Sequence, residues 1–328
     1  MQLISSLYST LNSTELLLLI ENNYTLSTRA KIKYLKRGFN DTYIIEDGHN
    51  KFILRVYKHG WKTHGNIETE ISLLNDLYTN NISVSCPIAD KNGEFVQTIT
   101  AAEGIRYIVL FSFAQGQAIR KLNAEQSFNL GKVTGQMHLV TQYKSYGNVP
   151  FIYSFDKQLE NTLTILSPIL IAYPLQYKSL LALKNDFLNI WEKTNEIDIV
   201  KGTCHGDLQA ENFHINDEHK ITFFDFDFCG YGPLIYDIGV FLWYDHKNKN
   251  IDIVKSFLKG YTTQRPLTPT EISLLPYFGT LRALFQMTLY CQLNDGKQLP
   301  LWPADQVAAF IIKAEKWHSE QKDRIKWL

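Results

Sequence analysis

The chain has 328 residues, long enough for two lobes with substantial cores, and its 33 lysines and arginines balance its 33 aspartates and glutamates. That balance gives no global field for nucleic acid or an acidic membrane, so neither is expected as a partner. Cys86, Cys204, Cys229 and Cys291 stand far apart with no CxxC pair, which favours reduced thiols, a cytoplasmic setting and no zinc.

Near the N-terminus the apolar run Leu16 to Ile20 is short and flanked by Glu15 and Glu21, with no basic region before it. It does not read as a secretory leader. Ser13 or Thr14 before Glu15 reads instead as the start of a short helix. No later run approaches the ~18 apolar residues of a membrane-spanning helix.

Residues 31–57 alternate strand and turn, with Asp47-Gly48 as a hairpin signal. The earlier turn carries Gly38, Asn40, Asp41 and Thr42 and is able to lay backbone N–H groups over phosphates, although taken alone it reads better as a plain surface hairpin. Arg55 sits mid-strand in KFILRVY, where a charge needs a reason. The next helix, NIETEISLLNDLY, places Ile67, Ile71, Leu74, Leu77 and Tyr78 on one stripe with Glu70 inside it. A carboxylate on a core-facing stripe must find a partner, and Arg55 is assigned to it.

Three strands are expected over residues 82–115: VSCPI, EFVQTI and the apolar run IRYIVLFSF, which ends at Ala114-Gln115-Gly116. From Ala118 the pattern turns helical. Ala124 to Thr141 aligns Phe128, Gly131, Gly135 and His138 on one side, the glycines permitting close backbone approach and His138 reading as a packed core residue. Residues 143–177 hold several breakers and give no clear element, and a helix is expected over Lys178 to Lys193. Three further periodic stretches follow, Ile251 to Tyr261, Pro269 to Leu293 and Pro303 to Trp317.

The chemistry concentrates in residues 202–240. His205-Gly206-Asp207 is followed five residues later by Asn212 and thirteen beyond that by Asp225. Apolar runs around a polar turn predict a hairpin, Phe213 to Ile215 and Ile221 to Phe226, that brings Asn212 and Asp225 to one end. A carboxylate and an amide oxygen are the ligands Mg²⁺ takes when substrate phosphates and water supply the rest. Asp207 is left free to receive the proton of an acceptor hydroxyl.

HGDLQAENF with FFDFDF resembles the catalytic loop and metal motif of the phosphotransferase family that includes aminoglycoside, choline and homoserine kinases, relatives of the protein kinases. The resemblance implies a two-lobed α+β fold, with an antiparallel sheet lobe over residues 1–115 and a mainly helical lobe over residues 116–328. It also implies a reaction in which ATP or GTP with Mg²⁺ phosphorylates a hydroxyl. In that pattern Asp207 matches the catalytic base, Asn212 and Asp225 the metal ligands, and Asp237, with His205, the support of the catalytic loop. Arg55 and Glu70 match the phosphate-contacting ion pair, and Gly38, Asn40, Asp41 and Thr42 the phosphate-covering turn. Leu110 to Gly116 matches the adenine-binding hinge, with Phe111 and Phe113 beside the ring. Asp227 and Asp245 are assigned to the acceptor or a second metal, and Trp243 and Tyr244 to the acceptor pocket. Gln209 stands where many relatives carry histidine, which unsettles any substrate analogy.

Rival patterns fit less well. Gly202 to Gly206 matches a GxCxG nucleophile elbow, but that motif needs a helix directly after it, and a hairpin is expected instead. No GxxxxGK[ST] phosphate loop occurs. A catalytically dead binding module would have no need to keep Asp207, Asn212 and Asp225 together. The favoured partner is a small-molecule alcohol, with a protein serine or threonine as the alternative. The sequence does not give the oligomeric state.

Overall fold

The computed structural model describes residues 6–27, 29–245, 251–293 and 302–325, and only the backbone of Asp245, Leu293 and Ile325. The chain divides into two compact units. The first contains Met1–Gln117, Tyr146–Pro150 and Phe213–Phe224, and the second contains Ala118–Ser145, Phe151–Asn212 and Asp225–Leu328. Where the sequence suggests one cut near residue 115, two later segments join the first unit. Phe213–Phe224 joins by strand-edge pairing, since Phe223 bridges Val84 and Ile215 bridges Gln117, and Tyr146–Pro150 joins by hydrogen bonds, Tyr146 donating to Asp76 and Asn66 to the Asn148 carbonyl.

The first unit is built on five antiparallel strands: β1 (Lys31–Arg37), β2 (Asp41–Asp47), β3 (Asn50–Val56), β4 (Gln97–Ala101) and β5 (Gly104–Ser112), in the order β1-β2-β3-β5-β4. Alternation buries Tyr43, Ile45, Leu54, Val56, Ile108 and Leu110 on one face, where Leu16 and Ile20 of helix α1 (Ser13–Asn23) and its C-cap residue Tyr24 cover them. Asn12 caps that helix by accepting from Thr14 N–H, one residue earlier than the expected start. VSCPI forms isolated bridges at Val84 and Pro87 rather than a strand.

Helix α2 (His64–Thr79) opens on a capping box between Thr63 and Asn66. It buries Ile67, Glu70, Ile71, Leu74 and Leu77, whereas Tyr78, expected on the same stripe, is exposed. Arg106 on β5 is fully buried. It donates to the carbonyls of Ser9, Val56 and Tyr57 and pairs with Asp41 at 3.0 Å and Glu103 at 3.3 Å.

The second unit holds helices α3 (Ala124–Thr141), α4 (Phe155–Leu170), α5 (Pro174–Glu192), α6 (Ile235–Asp245), α7 (Ile251–Thr262), α8 (Pro269–Leu293) and α9 (Ala304–Ile325). A small sheet of β6 (Phe151–Ile152), β7 (Lys201–Cys204) and β10 (Gly230–Pro233), in the order β6-β10-β7, accompanies them. The short hairpin β8 (Phe213–Ile215) and β9 (Ile221–Phe223) belongs to the first unit. Among the described residues no helix is long and apolar enough to cross a membrane.

Helices α3 and α7 touch backbone to backbone. A Cβ at Gly131 would stand 1.9 Å from the Phe257 carbonyl oxygen, and one at Gly260 would stand 1.9 Å from that of Phe128. Because the obstacle is backbone on both sides, Gly131→Ala should lower unfolding free energy by at least about 2 kcal/mol. A urea midpoint equal to wild type would contradict this packing.

Candidate active site

Two ladders set the catalytic segment. Cys204, at the end of β7, pairs with Gly230, at the start of β10, and Phe213 pairs with Phe223 across β8 and β9. The stretches from His205 to Asn212 and from Phe224 to Cys229 therefore run between the same two anchor points. Gly206 turns the loop at φ +84°, and a Cβ there would lie 1.9 Å from the Phe228 carbonyl oxygen, so only glycine fits.

Asp207 is 6 % exposed, and its carboxylate is held from both sides. Oδ2 accepts from Gln209 Nε2 and from Asn212 Nδ2, each at 2.8 Å, while Oδ1 accepts from Arg282 Nη2 at 2.5 Å. Asn212 Nδ2 also donates to the Asp207 carbonyl at 2.8 Å, which fixes the amide and leaves Oδ1 as its acceptor face. Arg282 lies on α8, buried among the rings of Phe228, Tyr244 and Phe285, and its Nη2 also donates to Tyr244 Oη at 3.2 Å. Burial opposes its charge, and the neighbouring Tyr244 and Asp207 outweigh that, holding its pKa well above the ordinary guanidinium value. Burial pushes the Tyr244 phenol up to about 12, so it stays protonated.

The loop is fastened from α6. The buried Asp237 carboxylate accepts from the backbone N–H of His205 and of Gly206, each at 2.8 Å. His138 Nε2 lies 3.0 Å from the same carboxylate, and its Nδ1 lies 2.7 Å from Tyr261 Oη. Arg265 in turn donates to Tyr261 at 3.0 Å and pairs with Glu271, which accepts from Val200 N–H at 3.2 Å. One assignment gives the relay a single direction: Arg265 donates to Tyr261, Tyr261 to His138, and His138 to Asp237. Burial lowers the His138 pKa against the pull of Asp237, so the imidazole is neutral. Burial raises the Asp237 carboxyl, and the hydrogen bonds from His138 and Gly206 more than offset it, leaving Asp237 below the usual carboxylate range.

Asp225 stands at φ 65°, ψ 55°, a left-handed conformation that aspartate tolerates better than most residues, directly before a 3₁₀ turn that buries Asp227. Asn212 Oδ1 and the Asp225 carboxylate are hard oxygen donors of the kind a Mg²⁺ ion takes. Among the described residues no group of three or more His, Cys, Asp and Glu side chains could hold a metal unaided. A divalent ion here would therefore complete its shell with phosphate oxygens and water. The Asp245 side chain lies outside the described residues. Trp243 is buried against Phe310 and Trp317, in the core rather than lining a pocket.

In the first unit Glu70 is 1 % exposed and receives three donors: Arg55 at 3.1 Å, Lys62 at 3.0 Å and Tyr57 Oη at 3.2 Å. The Asp41 carboxylate is fully enclosed by Arg106 and Arg37, and Asn40 Oδ1 accepts from Lys58 N–H at 3.1 Å. The side-chain oxygens of Asn40 and Asp41 are thus engaged within the protein. In the segment before Gly116, Phe111 is buried with Arg55 5.5 Å from its ring, and Phe113 is half-buried with its ring edge-on to His214. Gly116 takes φ +95° where Gln117 bridges Ile215.

Arg282, Lys62, Arg106 and the His138 relay are absent from the sequence reading. A lone arginine in the apolar run PYFGTLRALFQMTLY was the available signal for Arg282. The nucleophile-elbow alternative is excluded, because Cys204 is a buried strand residue whose thiol pKa burial pushes well above the usual value, and the next element after it is the hairpin strand β8 rather than a helix.

A family model described as phosphotransferase enzyme family matches residues 31–271. An uncharacterized protein of Synechocystis sp. is 31% identical over 304 residues, covering 90% of this chain and 83% of that protein. Among solved structures, an amicoumacin kinase in complex with AMP-PNP, Ca²⁺ and Ami superposes with TM-score 0.73 at 22% identity, over 93% of this chain and 94% of that one. A microcompartment-associated aminopropanol kinase superposes with TM-score 0.71 at 21% identity, over 95% and 98%. These superpositions establish the mixed α+β kinase-like fold.

The relay generates a pH signature. A buried neutral histidine has a folded pKa below its unfolded value, so the unfolded chain binds the extra proton as pH falls. Stability should therefore decline between about pH 7.5 and about pH 5.5, His138 adding up to about 1.4 kcal/mol per pH unit. His318, also lowered by burial, acts with the same sign. Urea melts of His138→Asn should show a smaller decline than wild type, and an equal decline would remove His138 from this account.

Proposed function

Because the chain belongs to the phosphotransferase enzyme family, we propose that it transfers the γ-phosphate of ATP or GTP to a hydroxyl of a small molecule, with Asp207 as the proton acceptor. The observation that carries this reading is the Asp207 carboxylate, buried and oriented by Gln209, Asn212 and Arg282. In the transfer the acceptor oxygen forms a bond to the γ-phosphorus and its proton passes to Asp207. The bond from that phosphorus to the bridging oxygen breaks, and the nucleoside diphosphate leaves.

Asn212 Oδ1 and Asp225 would hold Mg²⁺, which when bound neutralises phosphate charge. Arg55, oriented by Glu70, contacts the phosphates. Gly38 to Thr42 contribute through backbone N–H groups, since the Asp41 carboxylate is already paired. Leu110 to Gly116, with Phe111 and Phe113, receives the base. Asp237 and His205 act through the loop rather than on the substrate. Asp227, buried two residues after Asp225 in the chain, is assigned to the acceptor or to a second metal.

Asp207→Ala should lower turnover by at least about 10²–10⁴-fold while nucleotide affinity stays near wild type. Turnover within about tenfold of wild type would remove Asp207 from the chemistry. Asp225→Ala should weaken nucleotide binding in the presence of Mg²⁺ and leave metal-free binding unchanged. Wild-type affinity that is the same with and without Mg²⁺ would contradict the metal assignment.

A further inference from the structure

We infer that Arg282 is the receptor for an anionic group of the acceptor, so that the preferred substrate is an alcohol carrying a carboxylate a few bonds from its hydroxyl. The inference rests on the phosphotransfer reading of Asp207 and goes beyond it by naming the class of molecule. Arg282 spends only Nη2 on the protein, on Asp207 and Tyr244. Its Nε and Nη1 are buried and have no hydrogen-bond partner. Buried guanidinium N–H groups without acceptors are costly, and in native structures each such group needs an explanation. Arg265, the buried arginine of the relay, directs two nitrogens to Tyr261 and Glu271, so Arg282 is the less satisfied of the two.

Gln209 and Asn212 hold Asp207 Oδ2 with neutral amides, and Arg282 holds Oδ1 through Nη2 alone. What Arg282 adds beside the reacting carboxylate is a fixed positive charge with N–H donors to spare. The rings of Phe228, Tyr244 and Phe285 around it exclude water, which strengthens any ion pair formed there. The polar groups that continue from Tyr244 are the Gln286 amide at 3.3 Å and, beyond it, Tyr290 at 3.4 Å, both neutral. Among the described residues the carboxylate paired with Arg282 is Asp207, the proton acceptor itself, so a cationic acceptor would compete with Arg282 for it. A carboxylate would fill the vacant donors, and a guanidinium suits a carboxylate better than any other side chain does.

The test compares acceptors that differ only by the carboxylate. Serine, threonine and homoserine are each paired with the amine left when that group is removed: ethanolamine, 1-aminopropan-2-ol and 3-aminopropan-1-ol. With Mg·ATP and wild-type protein, the acid of at least one pair should show kcat/KM at least about tenfold above its amine. Because Arg282 also holds Asp207, Arg282→Gln and Arg282→Lys should lower kcat for acid and amine alike, and should in addition raise the KM for the acid about 10–100-fold, so that the acid-to-amine ratio of kcat/KM falls. Preference for the amines, or no turnover of any acid while Mg·ATP still binds, overturns the inference. An unchanged acid-to-amine ratio in the folded variants, judged by thermal melts, also overturns it. The wild-type comparison decides even if both variants unfold. Failure of wild-type protein to bind Mg·ATP would instead contradict the phosphotransfer reading itself.

Discussion

The second unit depends on one buried carboxylate. Asp237 takes the backbone N–H groups of His205 and Gly206 onto its two oxygens, and without it the turn into Asp207 would bury two unpaired donors. A carboxylate with no exposure survives only when its own lone pairs are answered, and His138 completes that set. The relay through Tyr261, Arg265 and Glu271 then ties the catalytic loop to α7, to the start of α8 and to Val200 before β7. Asp207 itself points from this braced loop into a second set of donors, one of them from the same α8.

The first unit repeats the principle with the signs reversed. Arg106 is a fully buried cation answered by two carboxylates and three carbonyls, and it fixes both the N-terminal segment at Ser9 and the start of β2 at Asp41. Glu70 is a buried anion answered by Arg55, Lys62 and Tyr57. In each case a charge placed where water cannot reach specifies a particular geometry, because partial satisfaction is costlier than an apolar core.

What the sequence made legible follows from this. The sheet and most helices show in periodicity, and the Arg55–Glu70 pairing shows because a charge on an apolar stripe requires a partner. The HGD, Asn212, Asp225 and Asp237 spacings are short-range and survive as a motif. Arg106 and Arg282 complete pairs with Asp41 and Asp207, which are distant in sequence, so a lone charge in an apolar run was all the chain showed of them; Lys62 is near Glu70 in sequence but lies in a loop with no periodicity to place it. His138 was read as a packed core residue; packing and support of Asp237 coincide there, and only the fold reveals the second. The transfer of Phe213–Phe224 into the first unit was hidden for the same reason, being a matter of edge pairing with Val84 and Gln117.

The account joins a rigid, braced carboxylate to phosphoryl transfer onto an alcohol, a reaction in which positioning and charge neutralisation do most of the work. It is tested most directly by phosphorus NMR of the protein with Mg·ATP and a panel of small alcohols. The account predicts a new phosphomonoester resonance growing in step with nucleoside diphosphate. Diphosphate accompanied only by inorganic phosphate, across the whole panel, would contradict it.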